Sequence, residues 1–494
     1  MKKKFTLFAL LLAWSSLTTA QPSAWQQKVD ADLLNKTADG AAVDFLIVLR
    51  QQADLSAARF LTSKNEKATY VFEQLRHTAQ RTQAPLIGIL QHNSAAFQPL
   101  FVVNVIKATG NANLLQLLAE QPQVERIQDL PAVKLNGPVQ TNQGTLRTVE
   151  WGIEKIRADS VWALGFRGQG VTIGGQDTGY DWQHPALKNQ YRGFFPPDTI
   201  DHNYNWHDAI HQLNPLNADS IPSDPSNNPC GLDSPEPCDD HNHGTHTMGT
   251  MIGLNGDNQI GVAPQANWCG CRNMDRGWGT PFTYLECFQW FIAPTNLNNE
   301  NPDPSKSPHV IANSWSCPEV EGCNPGNFAV MNLAVNNLQL AGTVVVVSAG
   351  NSGSNCSTIN TPAAIFDNSF TVGATTISDT IAGFSSRGPV MVDSSGRIKP
   401  NICAPGVGVR SAIRNGEYAS FSGTSMAGPH VAGVVALMIS ANPQLAGQVE
   451  LIESILQQTA VPLITQQDCN GISGDDIPNN TYGHGRVDAL AAVQ

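Results

Sequence analysis

The sequence predicts an α/β protein with a doubly wound, mostly parallel sheet, preceded by a smaller α+β unit. Two short β-branched runs, residues 309–312 and 343–348 (TVVVVS), show no polar alternation, which is typical of strands buried on both faces of a parallel sheet. Between them, residues 326–340 carry apolar side chains at helical spacing. A strand, a helix and a second strand in this order make a βαβ unit, the building block of such a sheet.

The smaller unit is predicted over residues 21–136. Apolar runs predict strands over 43–50, 101–108 and 124–135, and helix-forming composition predicts helices over 56–91 and 113–120. Strands interleaved with helices make a compact α+β domain. The polar, turn-rich stretch after it, residues 136–144 (NGPVQTNQG), suits an exposed and cleavable linker.

Composition narrows the class of protein. The chain has 494 residues, of which 41% are hydrophobic and 14% charged, as in globular proteins. This length predicts two or three domains. The formal net charge of −12 repels phosphate backbones, so we expect no nucleic-acid partner.

The first twenty residues predict a signal peptide. Three lysines, Lys2 to Lys4, precede the apolar run Phe5 to Trp14, and small residues lead to a cleavage site after Ala20. The alternative is a membrane anchor, but the apolar run is short of the ~20 residues that a span needs. No later stretch is predicted to cross a bilayer. The expected product is therefore exported and has no membrane partner after signal removal.

Cysteine placement agrees with export. The chain has ten cysteines, and none precedes Cys230. In an oxidising compartment an even number predicts several disulfides, with Cys230–Cys238 and Cys317–Cys323 as the first candidates. Buried free thiols are an alternative for some of them. A zinc site is a less favoured interpretation, because the cysteines at 269 and 271 are closer together in sequence than the usual pair of zinc ligands.

Three motifs carry the candidate chemistry. Asp177 follows an apolar strand in QDTG (176–179), His243 opens HGTHTMGT (243–250), and Ser425 lies in GTSMAGPHVAG (423–433). Taken singly, each motif has another interpretation. The QDTG segment could be an ordinary turn. His243 could belong to a histidine–aspartate metal cluster with His241 and His246, and Ser425 could simply cap a helix. Taken together, their order Asp, His, Ser is one of the three known orders of a serine-hydrolase triad.

These motifs, with the first extended to QDTGYDWQHP, resemble those of the subtilisin family of serine peptidases. The resemblance runs from about residue 150 to the end of the sequence, and residues 21–136 resemble that family's inhibitory propeptide, a ferredoxin-like domain. The NSW segment at 313–315 with its neighbouring cysteines is most similar to the bacillopeptidase F-like branch. The implied fold is subtilisin-like, over residues 137–494.

The resemblance also implies residue roles. Ser425 would be the nucleophile, His243 the general base and Asp177 the residue that orients it. In Ala-Gly-Asn (349–351), Asn351 would donate to the oxyanion together with the backbone N–H of Ser425. His246 is then a helix residue and not a metal ligand.

Substrate binding is implied at two strands. Ser314 and Trp315 on one side, and Gly277 and Gly279 on the other, would clamp an extended peptide through its backbone. The remaining substrate-binding candidates are Gly350 and Asn360, of which Asn360 falls at the floor of the primary pocket. The sequence departs from the family at Asn360, where a Gly often stands, and at residues 316–317, where two glycines are common, so we assign no preferred P1 residue.

No cofactor is implied for catalysis, and we assign no metal-ligating residue. Relatives often bind structural calcium, but Ala186 stands where an Asp ligand is common, while loop 253–259 keeps the oxygen donors Asn255, Asp257 and Asn258. The expected partners are protein or peptide substrates and the chain's own propeptide, bound as an intramolecular inhibitor, in a monomer. Self-cleavage is predicted between about residues 136 and 147, with residues 133–136 in the cleft.

Three other functions stay open from the residues alone. A catalytically inactive relative would only bind peptides, although all four catalytic side chains are present. A secreted metal-binding protein would use the histidine–aspartate cluster. An esterase would need its serine in a G-x-S-x-G turn, whereas Ser425 lies in GTSMA.

Overall fold

The computed structural model describes residues 23–130, 133–135, 137, 139–141, 148–214, 217, 228–315 and 325–494. The predicted signal peptide, the Cys317–Cys323 pair and the pocket residues at 316–317 lie outside these ranges. The described chain forms an N-terminal unit and a larger unit that are in extensive contact.

A seven-stranded sheet forms the centre of the larger unit, and every neighbouring pair in it is parallel, as predicted. The strands are β7 (Thr172–Asp177), β10 (Trp206–Asp208), β13 (Asn267–Arg272), β15 (Val310–Asn313), β16 (Val344–Ser348), β17 (Phe370–Thr375) and β18 (Ile402–Pro405). The order from edge to edge is β10-β13-β7-β15-β16-β17-β18.

Both faces of this sheet are buried, which explains the unbroken apolar runs. Along β16, Val344 and Val346 belong to one hydrophobic cluster, and Val345 and Val347 belong to another. Successive side chains of a strand point to opposite faces, so each face needs its own apolar set.

Helices cover both faces. The larger unit contains α4 (Trp151–Lys155), α5 (Ala158–Ala163), α6 (His243–Ile252), α7 (Pro281–Ile292), α8 (Pro325–Leu340), α9 (Thr424–Ala441), α10 (Val449–Gln458) and α11 (Ala489–Val493). By length and apolar composition α9 could cross a membrane, contrary to the prediction that no later stretch could. Its apolar window is 89% buried inside the protein, however, as in the core helix of a globular domain.

The N-terminal unit is built on a four-stranded antiparallel sheet. Its elements are α1 (Ala31–Lys36), β1 (Val43–Leu49), α2 (Lys64–His92), β2 (Phe97–Leu100), β3 (Val105–Gly110), α3 (Ala112–Ala119) and β4 (Val124–Asp129). The strand order in the sheet is β2-β3-β1-β4. Strand β2 was not predicted, because Pro99 weakens its strand pattern. The next strand was predicted to begin at residue 101, but residues 101–104 form a turn and β3 begins at Val105.

Several short strands connect the units or edge the larger one. The predicted strand 124–135 is two strands, since β5 (Val133–Lys134) is separate from β4 and pairs with β14 (Trp278–Gly279). The others are β6 (Val139–Thr141), β8 (Phe194–Phe195), β9 (Thr199–Ile200), β11 (Leu254–Asn255), β12 (Asn258–Gln259), β19 (Val409–Ile413) and β20 (Glu417–Ser422).

The N-terminal sheet is buried on both faces, but by different partners. Phe45 and Ile47 of β1 belong to a cluster made wholly by the N-terminal unit. Leu46 and Val48 belong to a cluster shared with α7 and α8 of the larger unit. A buried polar bond crosses this contact, since the Asn337 amide donates to the Val102 carbonyl at 2.6 Å.

Three disulfides are described. Cys230–Cys238 closes a short loop, as predicted, Cys271–Cys287 ties β13 to α7, and Cys356–Cys469 joins segments that are 113 residues apart in sequence. Cys269 and Cys403 are buried free thiols.

Candidate active site

Asp177 and His243 meet at the carboxyl edge of the central sheet. Asp177 is the last residue of β7 and His243 is the first of α6. The His243 Nδ1 atom lies 2.7 and 2.9 Å from the two Asp177 carboxylate oxygens, and both side chains are buried. Functional groups collect at this edge, beside the point where the sheet order reverses between β7 and β15.

Two glycines permit this close approach. A β-carbon on Gly244 would lie 2.0 Å from the Gly179 carbonyl oxygen. One on Gly179 would lie 1.7 Å from the Cys238 carbonyl oxygen, and its φ of +108° also favours glycine. The glycines in QDTG and HGTH therefore allow the strand end and the helix start to pack together.

The Asp177 carboxylate is held by more than the imidazole. The Thr178 N–H donates to Oδ1 at 2.8 Å, and the Thr247 hydroxyl donates to Oδ2 at 3.4 Å. With a carboxylate against Nδ1, the imidazole proton sits on Nδ1, and Nε2 presents a lone pair. Within the described residues that Nε2 makes no hydrogen bond although it is buried.

Ser425 is the second residue of α9, which begins directly after the strand β20 and Gly423. Helix α9 packs against α6, which carries His243. Ser425 is 3% exposed. Two sequence motifs 182 positions apart are thus brought to adjoining helices.

Asn351 is fixed by Thr424, the residue before the serine. The Thr424 N–H and hydroxyl both donate to Asn351 Oδ1, at 2.9 and 3.0 Å, and the Gly350 N–H donates to the Thr424 hydroxyl at 3.2 Å. These bonds leave the Asn351 Nδ2 group as a donor, 3.5 Å from where a β-carbon on Gly423 would lie. Sequence reasoning missed this role of Thr424, although it stands inside the GTS motif.

The two strand segments proposed to bind peptide differ in their contacts. The Gly277 carbonyl accepts from the Leu135 N–H at 2.7 Å, and Gly279 and Trp278 pair with Val133 and Lys134. On the other side, Trp315 is buried and stacks on Tyr284, with ring centroids 4.0 Å apart.

The remaining pocket candidates are less connected. The Ser314 hydroxyl accepts from Ser348 at 3.2 Å. Asn360 is exposed in the loop after Asn351, and no hydrogen bond to another described residue ties its side chain to the cleft.

The metal-cluster alternative has no support in the described part of the chain. His246 lies between the carbonyl oxygens of Val409 and Ala419, each at 3.1 Å, and burial lowers its pKa to about 3. Asp239 instead organises the loop, since its Oδ2 accepts from the Thr245 N–H and hydroxyl. Among the described residues, no group of three or more His, Cys, Asp or Glu side chains could hold a metal ion.

Loop 253–259, where relatives often bind calcium, is in contact with the positively charged side chain of Arg410. Arg410 Nη1 donates to Asn258 Oδ1 at 2.9 Å and to Glu150 Oε1 at 3.0 Å, and its guanidinium lies 4.6 Å from the Tyr418 ring centroid. Ala186 contributes only its backbone carbonyl, which accepts from the Leu254 N–H. These residues do not fit a calcium ion, because a fixed positive charge already uses the Asn258 oxygen.

Comparison with known proteins agrees with the geometry. Residues 168–485 match the model of the subtilase family (Peptidase_S8). Bacillopeptidase F of Bacillus subtilis (strain 168) is 34% identical over 465 residues, which cover 89% of this chain but 29% of that protein. Subtilisin BL of Lederbergia lenta is 29% identical over 70% of this chain and 100% of its own length. Alkaline elastase YaB of Bacillus sp. (strain YaB) is 32% identical over 71% of each.

Proposed function

Because the chain belongs to the subtilase family, a family of serine endopeptidases, we propose that it is a secreted endopeptidase made as a self-processed precursor. It would hydrolyse peptide bonds in proteins through an acyl-enzyme intermediate. The observation that carries this proposal is the buried His243, whose Nδ1 is held by Asp177 while its Nε2 makes no bond to another described residue.

Such an imidazole is ready to act as a general base. Ser425 Oγ attacks the scissile carbonyl carbon while His243 Nε2 takes its proton, and Asp177 stabilises the imidazolium that forms. The imidazolium then gives that proton to the leaving amine, and the acyl group stays on Ser425. Water repeats the sequence in the second half: its proton goes to Nε2, its oxygen attacks the ester, and Ser425 regains a proton.

The negative charge on the attacked oxygen needs fixed donors. Asn351 Nδ2 and the Ser425 N–H would supply them. Thr424 holds the Asn351 side chain before substrate arrives, through two bonds to Oδ1, so little reorganisation is needed as charge develops.

The N-terminal unit would be the inhibitory propeptide, with a ferredoxin-like fold. In chain order its elements run β1-α2-β2-β3-α3-β4, a βαββαβ arrangement. Its last residues lie antiparallel to β14 in the way an extended substrate would lie. As long as this strand occupies the cleft, substrates are excluded.

The cleaved bond would be Asn136–Gly137. Leu135 is anchored to Gly277 on one side, and Val139 pairs with Ser422, three residues before Ser425, on the other. Only residues 136–138 separate these anchors. Because residue 138 is proline, the bond before it has a tertiary amide nitrogen and the bond after it would put a residue without an N–H at P1. Of the two bonds without either difficulty, Leu135–Asn136 and Asn136–Gly137, the second lies further from the Leu135 anchor, so we favour it.

Export rests on two features. Residues 1–20 have the pattern of a signal peptide, with a positive start and a short apolar core. Three disulfides in the described residues suit an oxidising compartment.

The test is Ser425→Ala in the full-length chain. Without the nucleophile, we expect an uncut precursor that keeps residues 21–136 and does not cleave casein. Ser440→Ala, the same change at the far end of α9, serves as the control and should mature and cleave casein like the wild type. A Ser425→Ala protein that still matures unaided and digests casein would refute the proposal.

A further inference from the structure

Lys64, the first residue of α2, reaches from the N-terminal unit into the larger unit. Its Nζ donates to the Ser307 hydroxyl at 2.8 Å, the Thr343 hydroxyl at 2.9 Å and the Ala341 carbonyl at 3.1 Å. An ammonium group has three N–H donors, so this set of acceptors satisfies all of them. Ser307, Ala341 and Thr343 are themselves buried.

The backbone around Lys64 is shaped to receive it. A β-carbon on Gly447 would lie 2.9 Å from both the N and the Cα of Lys64, and one on Gly342 would lie 3.1 Å from its Cδ. Beside them, Lys67 Nζ donates to the Gly447 carbonyl at 2.7 Å. We call Ser307, Ala341–Thr343 and Gly447 the lysine socket.

No opposite charge stabilises an ammonium in the socket, since its three acceptors are neutral. The titratable groups around it are Lys67 on α2, His309 ahead of β15 and Glu450, which acts on Lys67. Burial, with a smaller contribution from Lys67, lowers the pKa of Lys64 to about 7. A lysine that only touched the surface of the larger unit would stay hydrated and keep its ordinary pKa.

The socket lies at the opposite edge of the central sheet from the active site. Ser307 and Thr343 precede the first residues of β15 and β16, whereas Ser314 and Asn351 follow their last residues. With a rise of ~3.3 Å per residue, strands of this length separate the two edges by ~15 Å. The socket is therefore outside the cleft that a substrate would occupy.

We propose that the lysine socket retains the N-terminal unit after the chain is cut, and so sets how long the cut enzyme stays inhibited. Its occupant is the start of α2, residues 62–67 of the same chain. This inference rests on the proposed function, because it concerns the fate of the N-terminal unit after self-cleavage. No cysteine precedes Cys230, so no disulfide would hold the unit after the cut.

Retention at one point maintains binding at the other. While Lys64 stays in the socket, the new chain end at residue 136 remains at high effective concentration beside the cleft and rebinds faster than a dilute substrate arrives. A substrate can compete with this chain end for pairing with β14, but it does not compete with Lys64 for the socket. Release of the inhibitor thus requires loss of both of these contacts as well as of the apolar contact with α7 and α8.

The experiment monitors full-length protein during maturation, with Lys64→Glu against Arg81→Glu, an equal charge reversal at an exposed position of α2. Chain cutting is read on gels, and peptidase activity is read with a fluorogenic peptide. We expect the wild type and the two variants to cut themselves at similar rates, because the strand that pairs with β14 is unchanged. The lag between cutting and activity should shorten at least about tenfold in Lys64→Glu alone, since the bonds of the Lys64 amine are lost and a carboxylate would be buried in its place.

A second variant, Ser307→Ala, tests the socket from the other side and covers the case in which Lys64→Glu does not fold. Removing one acceptor should shorten the lag by a few-fold. An unchanged lag in Ser307→Ala and in a folded Lys64→Glu would overturn the socket proposal. A wild-type protein that neither cuts itself nor gains activity would instead refute the proposed function.

Discussion

Besides the apolar contact with α7 and α8, the N-terminal unit is attached to the larger unit at two places that differ in kind. At the cleft, Val133 and Lys134 pair through their main chain with Gly279 and Trp278, a contact that any extended peptide can make. At the lysine socket, a single side chain fills a site lined by hydroxyls, a carbonyl and glycines. Under the proposed function, the first attachment would imitate a substrate and the second would not, so cutting and release could be altered separately.

The largest separation should come from Asn351→Ala, which acts on the cleft chemistry alone. Loss of the oxyanion donor should lower kcat by ~10²–10³, the range known for this donor in subtilisin, with little change in KM. Cutting of the precursor should slow by a similar factor, while affinity at the socket stays unchanged. Steady-state kinetics with a peptide substrate measures the first effect, and a rise in KM at unchanged kcat would contradict the assigned role of Asn351.

Retention of the N-terminal unit at the lysine socket should depend on pH. Free Lys64 has an ordinary pKa near 10.5, which falls to about 7 when it is bound. The bound state therefore favours the neutral amine, so retention is strongest above the free pKa, weakens as pH falls through this window, and levels off below 7. Between pH 9 and pH 7 this group alone should weaken the cut complex at least about tenfold.

Sedimentation velocity of the cut protein over this range measures that slope. Lys64→Gln, which keeps a neutral donor, is the matched control and should lose the slope. An equal slope in both proteins would show that other groups at the interface control the pH dependence.

The smallest effect should come from Gly279→Ala, which disturbs the cleft attachment and leaves the socket intact. An added β-carbon would lie 2.8 Å from the Asn273 carbonyl oxygen and from the Tyr284 hydroxyl, so β14 must shift. We expect kcat/KM for peptides to fall ~10-fold, since main-chain pairing in the cleft weakens. If the lag between cutting and activity shortened as much as in Lys64→Glu, the two attachments would not be separable.

Local patterns predicted the parts of the site that depend on neighbouring residues. The glycines of QDTG and HGTH stand where β7 and α6 approach closely, and the apolar run of β16 is buried on both faces of the sheet. Where local signals conflict, prediction failed: Pro99 weakened the pattern of β2, and residues 101–104 (FVVN) form a turn against α7 and α8.

Contacts between distant residues could not be predicted in this way. Lys64 is one of several polar residues at a helix start, and its acceptors lie 243 to 279 positions further along the chain. Arg410 likewise meets Glu150 across 260 positions and Asn258 across 152. Nothing in the composition around these residues marks them as partners.

The sequence by itself therefore determined the class of fold, the order Asp177, His243, Ser425 and the presence of a separate N-terminal unit. Periodicity, glycine placement and motif order are local properties, so they are visible in the chain before it folds. Only the tertiary structure decided how Thr424 holds Asn351, which cation lies at the calcium loop, and where the N-terminal unit is attached. These depend on which distant side chains share a buried space, and burial exists only once the chain has folded.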